Sequence, residues 1–124
     1  MSIEVTFEVE PEYVLLRCQG SYTLPAAIEV FEQAYAAAFR ENRAAVLIDV
    51  YEVGPPTPTT MERFEIGMFI ASRKANGIRV AVVGSQPLID PGGFAETVAR
   101  NRGGLYRARI RQDDVMDFLA QKAS

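Results

Sequence analysis

Two short runs of residues decide the architecture. Ala44–Val50 (AAVLIDV) and Ile78–Val83 (IRVAVV) are rich in branched side chains and too short for buried helices. A strand without a polar face must be covered on both sides, which is the condition of a parallel sheet flanked by helices. Between the runs lies a Gly/Pro loop, Tyr51–Pro58 (YEVGPPTP), and then Thr59-Thr60-Met61-Glu62. The T-x-x-E spacing is a capping box, in which the hydroxyl accepts from the N3 amide and the Glu reaches back to the cap. Met61, Phe64, Met68, Ala71 and Ala75 recur as the inner stripe of the helix that follows, and Asn76-Gly77 ends it. Phe69 and Ile70 fall off that stripe, and either they widen its buried face or they meet a partner, a second copy or a lipid-like ligand.

The flanking segments fit the same plan. Ile3, Val5, Phe7 and Val9 alternate with Glu4, Thr6, Glu8 and Glu10, the pattern of a half-exposed strand. Pro11-Glu12 breaks it and Tyr13–Cys18 resumes, so the pair reads as an antiparallel hairpin. Thr23 is placed as the N-cap of a helix running to about Glu41, with Pro25 in its first turn. Leu24, Ala27, Ile28, Phe31, Tyr35, Ala38 and Phe39 form its apolar stripe. After the second run come a short helix, Phe94–Asn101, an alternating edge strand, Leu105–Ile110, and a last helix opened by Gln112-Asp113-Asp114 with Val115, Met116 and Leu119 inward. The order ββαβαβαβα predicts an α/β fold with a mixed, mostly parallel sheet of about five strands and about four helices. The 124 residues, 1–124, read as one domain.

Composition removes several chemistries. There is no His and only one Cys, Cys18, so a Ser-His-Asp triad, a Cys-His dyad, a Cys/His zinc cluster and an internal disulfide are all excluded. Cys18 sits in an alternating apolar segment and reads as a small core residue. The net charge of −3 disfavours a nucleic-acid binder. No apolar run reaches the ~18 residues of a membrane helix. Met1–Glu4 lack a basic stretch followed by an apolar one, so no leader is expected and the cytoplasm is the expected location. No glycine-rich phosphate loop is present, and Gly84-Ser85 and Gly92-Gly93 read as turns.

The leading hairpin, the strand ending at Asp49, the loop, the capped helix at Thr59 and the apolar strand to Val83 together resemble the STAS/SpoIIAA-like family. That family includes anti-sigma-factor antagonists and the cytoplasmic domains of sulfate transporters. The likeness is stronger to its SpoIIAA-like (STAS/SEC14-like) group of small bacterial proteins, and it spans about residues 3 to 120. In the antagonists a strand-ending Asp precedes an Asp-Ser-Ser stretch at the next helix start, where one Ser is phosphorylated by a partner kinase. Here the strand-ending acid is Asp49, the hydroxyls are Thr59 and Thr60, and Pro58 stands where the second Asp would be. The loop is also about one residue longer and carries three prolines. The resemblance implies a non-enzymatic interaction or regulatory module without a cofactor, with a protein partner or self-association. The SEC14-like side of the likeness implies the alternative, a small-molecule or lipid-binding domain with a pocket for a hydrophobic ligand under the second helix.

In an open parallel sheet, partners and ligands meet the loops at the carboxyl ends of the strands. Those loops carry Asp49, Tyr51, Glu52 and Thr57–Thr60, then Ser85 and Gln86, then Arg111, Gln112 and Asp113. Asp49, Thr57, Thr59, Thr60 and Ser85 are therefore the candidates for binding or phosphorylation. A phosphate on Thr60 would gain from the helix dipole and add nearly two negative charges. The simpler reading of Thr59 and Thr60 is an ordinary cap, and Asp49 reads most simply as a cap on loop amides. Asp49 and Glu52 lack a third group and do not make an acid/base pair. Arg100, Arg102, Arg107, Arg109 and Arg111 form a basic block, and Glu4, Glu8, Glu10 and Glu12 an acidic one. Two solvated edges explain both. The sharper expectation is that Arg107 and Arg109 share a face and, with Phe69, serve as a partner surface.

Overall fold

A computed structural model describes residues 3–121. The chain order is β1 (Ile3–Val9), β2 (Val14–Ser21), α1 (Leu24–Arg40), β3 (Ala45–Gly54), α2 (Thr60–Ser72), a 3-10 turn (Lys74–Asn76), β4 (Arg79–Val83), α3 (Phe94–Asn101), β5 (Tyr106–Arg109) and α4 (Asp113–Leu119). The five strands form one sheet in the order β1-β2-β3-β4-β5. β1 and β2 are antiparallel, and the remaining pairs are parallel. Ala45 lies beside Arg79 and Asp49 beside Val83, so the two apolar runs run side by side in the same direction.

Alternation along these central strands supplies two cores. Val46, Ile48, Val80 and Val82 face α1, α2 and α3, while Ala45, Leu47, Ala81 and Val83 face α4. A period of two sends successive side chains to opposite faces, and here both faces are dry. Thr23 caps α1 by accepting from the Ala26 amide at 3.2 Å. α4 is tethered at its far end by Arg79, whose Nη2 donates to the Leu119 carbonyl at 3.2 Å.

Three expectations are corrected. β3 does not end at Val50. It continues to Gly54 because β2 goes on pairing with it, with Gln19 beside Glu52 and Ser21 beside Gly54. The register shifts between Arg17 and Gln19, where Val50 and Tyr51 together oppose Cys18, a bulge that rotates the strand's end. The second correction concerns α2, whose buried side shares Ala71 with the expected stripe but is rotated away from its methionines. Ile66, Gly67, Ile70 and Ala71 are its buried residues, whereas Met61 is 66% exposed and Met68 39%. Gly67 sets this orientation. A Cβ there would stand 2.7 Å from the Ala95 carbonyl oxygen and from Val98, so α2 and α3 meet at a contact only glycine permits. Ala75 lies past the helix, exposed in the 3-10 turn. The third correction is Phe39, which is 86% exposed, one position off the Ala34, Tyr35 and Ala38 face that α1 presses to the sheet.

Candidate functional site

The carboxyl rim of the sheet is tied together by side chains from distant segments. The Asp49 carboxylate accepts the Tyr51 amide at 3.0 Å, closing the bulge. The Tyr51 hydroxyl donates to the Ile110 carbonyl, bridging from β3 to the end of β5. At the start of α2 the capping box is complete. Thr59 Oγ1 accepts the Glu62 amide at 3.1 Å, and Glu62 Oε1 accepts the Thr59 amide at 3.0 Å. The same Glu62 oxygen receives the Tyr22 hydroxyl at 3.4 Å, which joins the helix start to the corner after β2.

One turn further, Arg63 fixes the neighbouring loop. Its guanidinium donates to the Pro87 carbonyl at 2.9 Å and the Leu88 carbonyl at 3.1 Å. Beyond them, Asp90 accepts the Gly92 and Phe94 amides at 3.0 and 2.9 Å and so caps α3. These two hydrogen bonds hold its carboxyl below the usual carboxylate range.

The expected site residues fall into two groups. Thr57, Thr59 and Thr60 gather at the α2 start, all exposed, and Ser85 is exposed on the next loop. Thr59 is engaged in its cap and Asp49 in its bulge. Among the described residues no hydrogen bond joins Asp49, Ser85 and the threonines to one another. Phe69, by contrast, is turned inward. Its ring lies 6.4 Å from both Phe31 and Tyr35, with the Arg73 guanidinium 4.6 Å above it, so much of it is engaged within the fold. The basic face is also divided. Arg107 stacks on Phe118 at 4.9 Å, whereas Arg109 reaches Glu96 at 2.5 Å. Arg100 joins the same Glu96 at 3.4 Å, and Arg111 pairs with Asp113 at 3.6 Å. The reason is Glu96, a buried acid that also accepts the Ala108 amide of β5 at 2.9 Å.

Tyr22, Arg63 and Glu96 were not anticipated from sequence. Only Glu96 left a trace there, its i,i+4 spacing to Arg100.

A cavity of about 90 Å³ lies between the sheet and the starts of α2 and α3. Its lining is mostly apolar, with Cys18, Val50, Val82 and Ile66 among its walls and Arg63 and Tyr106 at its border. Burial, with the Asp49 charge adding to it, pushes the Cys18 thiol up to about 12. Burial also raises the Tyr106 phenol, and the Glu96 charge adds to the effect. A thiol held protonated is a poor nucleophile. Among the described residues, no group of three His, Cys, Asp or Glu side chains could hold a metal ion, and no helix is long and apolar enough to cross a membrane.

No family model and no curated protein matches the chain. Solved structures do. An anti-sigma factor antagonist from Mycobacterium paratuberculosis superposes with a TM-score of 0.60 at 14% identity, covering 97% of this chain and 96% of that one. The anti-sigma factor antagonist SpoIIAA in its unphosphorylated form gives 0.54 at 10% identity, over 99% and 100%. An uncharacterised Shewanella loihica protein with a SpoIIAA-like fold gives 0.52 at 18% identity, over 96% and 94%. The chain has the SpoIIAA-like fold.

Proposed function

With that fold as premise, we propose that the chain is a non-enzymatic interaction module of regulatory type, acting through α2 and the loop before it. The observation that carries this reading is the outer side of α2. Met61 and Met68 stand exposed there, with Thr60 at the helix start. Methionine is an adaptable side chain suited to partner surfaces. Two structures of the same fold are anti-sigma factor antagonists, which supports a protein partner. Thr60 is the hydroxyl best placed for a regulatory phosphate, since Thr59 already serves as the cap. A phosphate at this position meets the positive end of the helix and changes the charge beside Met61. Thr57 and Ser85 extend the same exposed rim, and Asp49 holds the bulge behind it. The single thiol is buried and suits a reducing cytoplasm.

The test is site-specific photocrosslinking from position 61 in the native cell, with phosphoamino-acid analysis of the same material. One discrete adduct is expected, lost in Met68→Glu and altered in Thr60→Glu. An adduct pattern indifferent to both substitutions would sink the reading.

The cavity supports a second reading, a site for a small molecule. Its volume is well below the ~300 Å³ at which ligand pockets commonly begin, which argues against a lipid chain with α2 where it stands.

A further inference from the structure

The two edges of the sheet are finished differently. In the parallel ladder with β4, Leu105 and Arg109 turn their carbonyls inward, to the Val80 and Gly84 amides. Tyr106 and Ala108 therefore point outward. The Ala108 amide is taken by Glu96 at 2.9 Å and the Ala108 carbonyl by the Arg109 guanidinium at 2.7 Å, so β5 offers little to a further strand.

β1 has no such cover. Glu10 is a hydrogen-bonded partner of Tyr13 at the hairpin, through a 2.8 Å bond. Antiparallel alternation then gives Glu8, Thr6 and Glu4 inward bonds to β2, and leaves the amides and carbonyls of Ile3, Val5, Phe7 and Val9 facing out. Among the described residues no side chain or loop hydrogen-bonds this edge. The strand is seven residues long, with no proline, glycine or bulge to blunt it.

The side chains along the open edge have a definite character. On the α1 side Phe7 and Val9 are 42% and 48% exposed, and Arg40 lies over the Phe7 ring at 5.8 Å. On the other side stand the exposed acids Glu4 and Glu8, with Glu10 and Glu12 at the hairpin. Among the described residues, Glu8 is the member of this acidic row paired with a base, Arg17 at 2.9 Å, and both partners of that pair are more than half exposed.

We propose that the outer edge of β1 is a docking site for an extended segment of a partner protein in which Lys or Arg alternates with apolar residues. Such a segment adds a sixth strand. Its backbone completes the hydrogen bonds of Ile3, Val5, Phe7 and Val9, its apolar side chains cover Phe7 and Val9, and its cations lie beside Glu4 and Glu8. A second copy of this chain fits less well. Antiparallel pairing of two β1 strands about Thr6 sets Glu4 of each opposite Glu8 of the other, with like charges in contact. The basic strand β5 of a second copy is already occupied at the amide and carbonyl of Ala108.

The experiment uses the isotope-labelled full chain and two synthetic peptides of about seven residues, the usual strand length, one alternating Lys and Val and one alternating Glu and Val. The Lys/Val peptide should shift the amides of Ile3, Val5, Phe7 and Val9 and slow their hydrogen exchange. Its affinity should fall about tenfold from low to physiological salt. The Glu/Val peptide should leave the spectrum unchanged. In the double variant Glu4→Lys, Glu8→Lys, both at exposed positions, the preference should reverse by about tenfold. Equal binding of both peptides, shifts confined to α2, or no shifts at all would overturn the proposal. Concentration-dependent protection of the same amides without peptide would also overturn it, by seating a second copy on the edge.

Discussion

α1 and α2 lie on the same face of the sheet, and both are rich in apolar residues, but they place them differently. α1 gathers its apolar residues on one side. Ala34, Ala37 and Ala38 let it approach the strands, Phe31 and Tyr35 fill the space beyond, and Glu29, Glu32 and Arg40 stay in water. α2 has apolar residues all round. Ile66, Ile70 and Ala71 are buried, Phe64 is half-buried, and Met61 and Met68 face outward. The sheet needs only one apolar side from each helix. α1 has a single task, and the surplus on α2 is what the proposed partner surface is made of.

The contrast can be tested by substitution. Phe31→Ala should have the largest effect, because its ring meets Phe69 at 6.4 Å and Tyr106 edge-on at 6.0 Å. A loss of about 3–5 kcal/mol is expected in urea denaturation. Gly67→Ala comes next, since the added methyl collides with the Ala95 carbonyl and Val98. A loss of about 1–3 kcal/mol should appear although alanine favours helices, and a gain would show that α2 and α3 are not in contact there. Thr59→Ala removes the cap and should lower stability by about 1 kcal/mol in the same assay.

A smaller effect depends on pH. Burial pushes Tyr35 up to about 12 from its ordinary 10.0. The unfolded chain therefore releases this proton before the folded one does, so the stabilisation is complete below pH 10 and declines as the pH approaches 12. Tyr35→Phe should flatten the alkaline fall in melting temperature, although Cys18 begins to contribute from its ordinary value of 9.0. Met61→Glu and Met68→Glu should change stability least, within about 0.5 kcal/mol. A large loss at either methionine would mean that the outer side of α2 is structural after all.

The same contrast explains what was legible in the sequence. The hairpin, the Thr23 cap, the Thr59–Glu62 box, the element order and the parallel pairing of the two apolar runs follow local patterns and formed as read. The facing of α2 was not legible. An apolar residue at almost every angle gives periodicity nothing to select, and the deciding contact is a glycine against another helix. The end of β3 was missed because its last residues look like a loop and are strand only through β2. The threonines at the α2 start were found from their spacing. Tyr22 and Arg63, which position that start, bond across 40 and about 25 residues of chain and leave no local mark. The arginine block is divided for a related reason, since Glu96 gathers Arg100 and Arg109 from opposite sides of a turn.

The strands stand in the sheet in the order in which they leave the ribosome. Each newcomer finds its neighbour already made, so the sheet can grow by accretion during synthesis. The far face is different, because its cover, α4, is translated after all five strands. A nascent chain halted before Asp113 would hold every strand and still leave Leu15, Leu47 and Val83 bare to water. The stretch of synthesis between β5 and the end of α4 is thus when this face is most exposed to aggregation, and a chaperone's work on it would end when Phe118 and Leu119 arrive.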